Sequence, residues 1–148
     1  MSLLNKPAPD FSLINSEGAK VSLSDFKGKK VLLVFYPGDD TAICTKQLCS
    51  YSSGFEEFQN LNIEILGINK DSVESHKKFK EKYKLNLNLL SDPDGKVCKT
   101  YNALGLIGVN RTTYLIDEES KIIFENTVLP IFYKDKDDIM TSIKSLIS

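Results

Sequence analysis

Residues 31–44 read Val31-Leu32-Leu33-Val34-Phe35-Tyr36-Pro37-Gly38-Asp39-Asp40-Thr41-Ala42-Ile43-Cys44. The apolar run Val31 to Tyr36 has no polar alternation, the pattern of a strand buried on both faces. Pro37-Gly38-Asp39-Asp40 ends it. Thr41 is an N-cap type of residue, and a helix is expected over Ala42 to Asn60. Leu48, Tyr51, Phe55 and Phe58 recur there at helical spacing. A buried strand that passes through a tight turn into an amphipathic helix sets the class as α/β.

The flanking sequence continues that alternation. Phe11 to Leu13 and Val21 to Leu23 bracket Asn15-Ser16-Glu17-Gly18 and predict an N-terminal hairpin. Ile63 to Ile68 predicts a second buried strand. Asp71 with Glu74 has capping-box spacing at the start of a helix running to Tyr83. Leu87 to Leu90 predicts a short strand, and Asp94 to Tyr101 a short helix. Thr112 to Ile116 and Lys121 to Asn126 predict two strands, and Asp135 to Ile147 a closing helix. The expectation is one α/β domain over residues 1–148, built on a central mixed sheet flanked by helices.

Composition narrows the function classes. The chain is 41% hydrophobic and 26% charged with a net charge of −1, as in ordinary globular domains. There is no basic block, which argues against nucleic acid as partner. No apolar run approaches membrane-spanning length. MSLLNKPAPD lacks a signal-type pattern, so a cytoplasmic location is expected. The three cysteines do not form a secreted disulfide framework.

Positive charge is distributed oddly. Of 19 Lys+Arg residues, only Arg111 is arginine. Arginine offers a planar fork of donors that lysine cannot imitate. Its best client is the cysteine pair Cys44 and Cys49. Cys44 falls in the first turn of the predicted helix, where amides and the helix dipole favour thiolate over thiol. Arg111 precedes strand Thr112 to Ile116; if that strand lies parallel beside Val31 to Tyr36, Arg111 comes close to Cys44. Asp39 and Asp40 oppose a thiolate unless they point away or a cation outweighs them. The single histidine, His76, stands among Lys77, Lys78 and Lys80 and reads as solvated surface, which argues against a Cys–His dyad.

Cys49 lies five residues after Cys44. On a regular helix their Cα atoms are roughly 8–9 Å apart, beyond the roughly 7 Å limit of a disulfide. If they pair, the helix must first unwind. Cys44 and Cys49 could also be half of a zinc or iron–sulfur set, but Cys98 and His76 are poor candidates to complete one, so no metal or cofactor is expected. Cys98, beside Val97 and Tyr101, reads as a small buried hydrophobe.

The segment Pro37 to Cys44, with its proline, threonine and cysteine at positions 37, 41 and 44, resembles the peroxiredoxin active-site motif. The spacing to Cys49 is similar to that of the peroxiredoxin Q, or bacterioferritin comigratory protein, branch. Lys6 to Phe11, Leu89 to Val97 and Asn110 to Asp117 extend the resemblance over nearly the whole chain. It implies a thioredoxin-like fold and a thiol peroxidase acting on hydrogen peroxide and organic hydroperoxides. Cys44 would be the peroxidatic cysteine. Arg111 would stabilise its thiolate and hold the peroxide oxygens. Thr41 would bond the bound peroxide, and Pro37 would shield the site. Cys49 would resolve the Cys44 sulfenic acid as an intramolecular disulfide, reduced in turn by thioredoxin or a similar dithiol. The protein would act as a monomer or weak homodimer.

The chain departs from the branch pattern at Ala42-Ile43, where Pro-Gly is frequent, at Gln47, where Glu is frequent, and after Cys49, where a second arginine is absent. A thioredoxin-like peroxide sensor or redox relay is the other function class. The missing Cys-x-x-Cys motif counts against disulfide exchange.

Overall fold

The computed structural model describes residues 2–105, 108–128 and 136–147. In chain order the elements are β1 (Ser12–Asn15), β2 (Lys20–Ser22), β3 (Lys30–Phe35), α1 (Ala42–Ser53), α2 (Phe55–Asn60), β4 (Ile63–Asn69), α3 (Val73–Tyr83), β5 (Asn88–Ser91), α4 (Lys96–Thr100), β6 (Arg111–Ile116), β7 (Ile122–Val128) and α5 (Lys136–Ile147). Among the described residues the strands form one sheet in the order β2-β1-β5-β4-β3-β6-β7. The β3–β4 and β4–β5 pairs are parallel, and the β1–β2, β1–β5, β3–β6 and β6–β7 pairs are antiparallel.

Strand β3 is buried on both sides, as its continuous apolar run requires. Leu32, Val34 and Tyr36 enter one core with Cys44, Leu48, Tyr51 and Phe79. Val31, Leu33 and Phe35 enter the other with Cys98, Tyr101 and Tyr114. The sheet therefore separates Cys44 from Cys98. Gly67 on β4 permits this packing, because a Cβ there would lie 2.8 Å from Leu89 Cδ2 and 3.3 Å from the Tyr36 ring.

Several local expectations are corrected. The helix expected from Ala42 to Asn60 is two helices, because Gly54 leaves helical geometry at φ −94° and ψ 12°. The cap of α3 is Ser72, whose side chain accepts from the Ser75 amide; Asp71 and Glu74 do not form a capping box. Leu23 does not extend β2 but begins a 3-10 turn, Leu23–Phe26. The helix expected from Asp94 starts at Lys96, after Gly95 in the left-handed region. Asp135, expected to begin the last helix, lies outside the described residues.

The strand carrying Arg111 does lie beside β3, but it runs antiparallel, with Phe35 opposite Thr112. This reversal matters. A parallel β6 would carry its first residue to the far end of β3. The antiparallel ladder sets Arg111 at the end of β3 from which the chain departs toward α1.

Candidate active site

The site assembles where β3 ends. The chain turns through Pro37 to Asp40, with Asp40 in the left-handed region at φ 57°, a conformation to which Asp adapts better than most residues. Thr41 then caps α1, its hydroxyl oxygen accepting from the Cys44 amide at 3.3 Å. Cys44 sits in the first turn, near the positive end of the helix dipole. Its stripe continues inward with Gln47, Leu48 and Tyr51, which are all buried.

Arg111 enters from β6. It is 3% exposed, and its Nη1 donates to Cys44 Sγ at 3.1 Å and to Gln47 Oε1 at 2.8 Å. A buried guanidinium is thus within hydrogen-bond reach of the sulfur. Gln47 supplies a neutral acceptor that orients the fork without adding a competing negative charge. Its spacing from Cys44, three residues on one helix, marks it as a neighbour on the same face. Sequence reading singled it out only as a departure from the branch pattern.

The structure thus brings Cys44, Thr41 and Arg111 together, with Pro37 in the adjoining loop. It does not bring Cys49 to them. Cys49 is off the buried stripe of α1 and lines a shallow surface groove with Ser52, Ser53, Tyr83, Lys84 and Asn86. Burial pushes the Cys49 thiol above its ordinary pKa, so in this folded form it is a protonated thiol. All three cysteines are free. Cys98 lies under the opposite face of the sheet, where burial, followed by the nearby Asp92 carboxylate, raises its pKa strongly.

The two acidic residues of the loop are both engaged. Asp40 accepts from Lys82 Nζ and Tyr83 Oη at 2.9 and 2.6 Å. Asp39 turns inward, its side chain 3% exposed, and is paired with His76 at 2.7 Å. His76 is therefore no surface residue: it has no exposed area. The surface reading gave weight to its lysine neighbours. The spacing of His76 to Phe79 and Tyr83, three and seven residues on, already put it on the apolar face of α3.

Among the described residues no cluster of His, Cys, Asp and Glu could hold a metal ion. No described helix is long and apolar enough to cross a membrane.

A thioredoxin-like sheet with a cysteine at the start of the helix after the inner strand β3, faced by a buried arginine, defines a cysteine-based redox protein. The AhpC/TSA family pattern matches residues 4–125. The chain belongs to that family, the peroxiredoxins. It is 46% identical over 127 residues to a Coxiella burnetii protein carrying the peroxiredoxin bcp name, covering 80% of this chain and 84% of that one. It is 41% identical over 143 residues to the chloroplastic peroxiredoxin Q of Sedum lineare, covering 93% and 76%. The crystal structure of peroxidoxin BcpB from Mycobacterium tuberculosis superposes with a TM-score of 0.88 at 29% identity, each chain being covered completely.

Proposed function

We propose that Cys44 is the peroxidatic nucleophile of a thioredoxin-dependent peroxidase that works through a second cysteine, Cys49. The observation that carries this reading is the 3.1 Å contact from Arg111 Nη1 to Cys44 Sγ at the capped start of α1. Amides, helix dipole and guanidinium all stabilise negative charge at one buried atom. The same donors can receive charge that develops on peroxide oxygen.

The Cys44 thiolate attacks the terminal oxygen of a hydroperoxide. An S–O bond forms, the O–O bond breaks, and the departing oxygen takes a proton and leaves as alcohol or water. Cys44 is then a sulfenic acid. Cys44 has no exposed surface in the reduced chain, so admission of even a small peroxide requires its cover to move aside. The Thr41 hydroxyl accepts from the Cys44 amide and donates a long 3.5 Å bond to the Gly38 carbonyl, a proton it can turn to the substrate instead. Pro37 shields the sulfur from water.

Cys49 then condenses with the sulfenic acid, forming an S–S bond and releasing water. Both cysteines lie in the continuous helix α1, where their Cα atoms are roughly 8–9 Å apart. Resolution therefore needs the first turns of α1 to unwind. Until they do, Cys49 remains a protonated and unreactive thiol. A thioredoxin-type dithiol reduces the bridge and becomes a disulfide itself. Cys98 takes no part, since the sheet stands between it and Cys44. Residues 1–148 act as one domain, a reading supported by the single sheet that spans the described strands.

The test is turnover. With a thioredoxin, its reductase and NADPH, the chain should consume many equivalents of hydrogen peroxide or tert-butyl hydroperoxide. Consumption that stops after one equivalent would instead mark a sensor or relay.

A further inference from the structure

The buried pair beneath the active-site loop is the feature the reaction above leaves unused. Asp39 accepts four hydrogen bonds. Tyr36 Oη donates to its Oδ1 at 2.6 Å, and Asn69 Nδ2 to the same oxygen at 3.3 Å. Ser75 Oγ and His76 Nδ1 approach its Oδ2, each at 2.7 Å. The Asp39 amide in turn donates to Asp71 Oδ2 at 2.7 Å. On its other side, His76 Nε2 is 2.9 Å from the Leu90 carbonyl oxygen.

The charge of the ring follows from these partners. A carbonyl oxygen can only accept, so Nε2 must donate to Leu90. A carboxylate can only accept, so Nδ1 must donate to Asp39. Burial alone would raise the Asp39 carboxyl, but the hydrogen bonds from His76 and Tyr36 outweigh it and hold the group ionised. Both ring nitrogens thus face acceptors, the hydrogen-bond arrangement that suits an imidazolium.

This position bears on Cys44. Tyr36 packs in the same core as Cys44 and reaches Asp39 with its hydroxyl. Asp39 lies two residues before Thr41, the cap of the Cys44 helix. Without a counter-charge, Asp39 would oppose the Cys44 thiolate. We propose that His76 is a positioning residue of the peroxidatic site, an imidazolium that neutralises Asp39 and anchors the loop leading to the Cys44 cap. The inference rests on Cys44 being the nucleophile. Other charged groups around the pair are accounted for. Asp71 faces it from the turn after β4, and its carboxylate is spent on the Asp39 amide and Asn69. Asp40 is paired with Lys82, while Glu74 and Lys78 on α3 pair with each other at the surface.

Two measurements test this. His76 is the only histidine, so a long-range proton–nitrogen spectrum of the untagged protein reads one ring. Two protonated ring nitrogens at neutral pH, and a neutral ring in Asp39→Asn, are expected; a neutral ring in the native protein overturns the proposal. The second is alkylation of Cys44 against pH, followed by peptide mass. In His76→Gln the midpoint should rise by about one pH unit, as expected for an unshielded carboxylate nearby. The peroxide rate below that midpoint should fall about tenfold. Adding Asp39→Asn to His76→Gln should restore the midpoint, a rescue that a purely structural role would not give. An unmoved midpoint in folded His76→Gln overturns the inference and leaves the peroxidase reading standing if Cys44→Ser is inactive. An active Cys44→Ser overturns both. Should His76→Gln not fold, the native ring spectrum and the titration of the double variant still decide.

Discussion

Phe35 and Thr112 face each other across the antiparallel β3–β6 ladder, and this register sets Arg111 against Cys44. Thr112 immediately follows Arg111, and Phe35 is the last residue of β3 before the chain turns toward α1. A backbone register thereby fixes a contact between side chains 67 residues apart in sequence.

One nitrogen of Arg111, Nη1, serves two acceptors at once and is held in place by a rigid planar guanidinium that lysine lacks, so charge alone should not replace it. Arg111→Lys should lower the second-order rate with peroxide by about a hundredfold, comparable to loss of one transition-state donor. Circular dichroism should remain native. A native spectrum with an unchanged stopped-flow rate would show that the arginine serves only packing.

Gln47 holds that fork in place. Gln47→Leu keeps the volume but removes the acceptor at 2.8 Å. Loss of about 1–2 kcal/mol of orientation should cost about tenfold in peroxide rate. The measurement is the same stopped-flow reaction, and an unchanged rate would assign the orientation of Arg111 to other partners.

Much of this was legible in the sequence, for physical reasons. Val31 to Tyr36 is apolar at every position, and only a strand covered on both faces tolerates that. Thr41 and Cys44 have cap spacing, and the chain spends its one arginine at Arg111. What could not be read was long-range. The direction of β6 depends on the whole sheet order, which short apolar runs do not encode. Ser72 and Asp71 are both good caps, and only the demand of the Asp39 amide for Asp71 decides between them. Gly54 was a visible break signal within an otherwise helical pattern. His76 was misread because its immediate neighbours are charged, whereas burial in a helix follows spacing.

Oxidation should be confined to one face of the sheet. One equivalent of peroxide should give a Cys44–Cys49 disulfide within one chain, with Cys98 still reduced. Because α1 must unwind, far-UV helicity should fall and amide exchange should rise from about Thr41 to Cys49. Cys49→Ser should over-oxidise at high peroxide. Peptide mapping checks the pairing; a bridge to Cys98 or between chains would contradict the resolving role of Cys49.

The Asp39–His76 pair should also govern acid stability. The Asp39 carboxyl is buried, which alone would raise it, yet its hydrogen bonds bring it below the ordinary value. Between the folded value and the unfolded value of about 3.9, the unfolded chain binds more protons. Stability from this group is thus complete above about pH 5 and is lost as pH falls through the unfolded and then the folded value. Urea midpoints should decline as pH falls from about 5 to 3, and less steeply in Asp39→Asn. At neutral pH, His76→Ala leaves a buried carboxylate unpaired and should cost about 3–5 kcal/mol in urea unfolding. A loss below about 1 kcal/mol would place the pair among weak surface bridges.

The central claim is that Cys44 is the atom that meets peroxide. The most direct measurement treats reduced Cys49→Ser protein with one equivalent of hydrogen peroxide and traps sulfenic acid with dimedone before peptide mass analysis. The account predicts an adduct on Cys44, none on Cys98, and no peroxide turnover in Cys44→Ser. An adduct on Cys98, or a Cys44→Ser protein that consumes peroxide at the native rate, would contradict it.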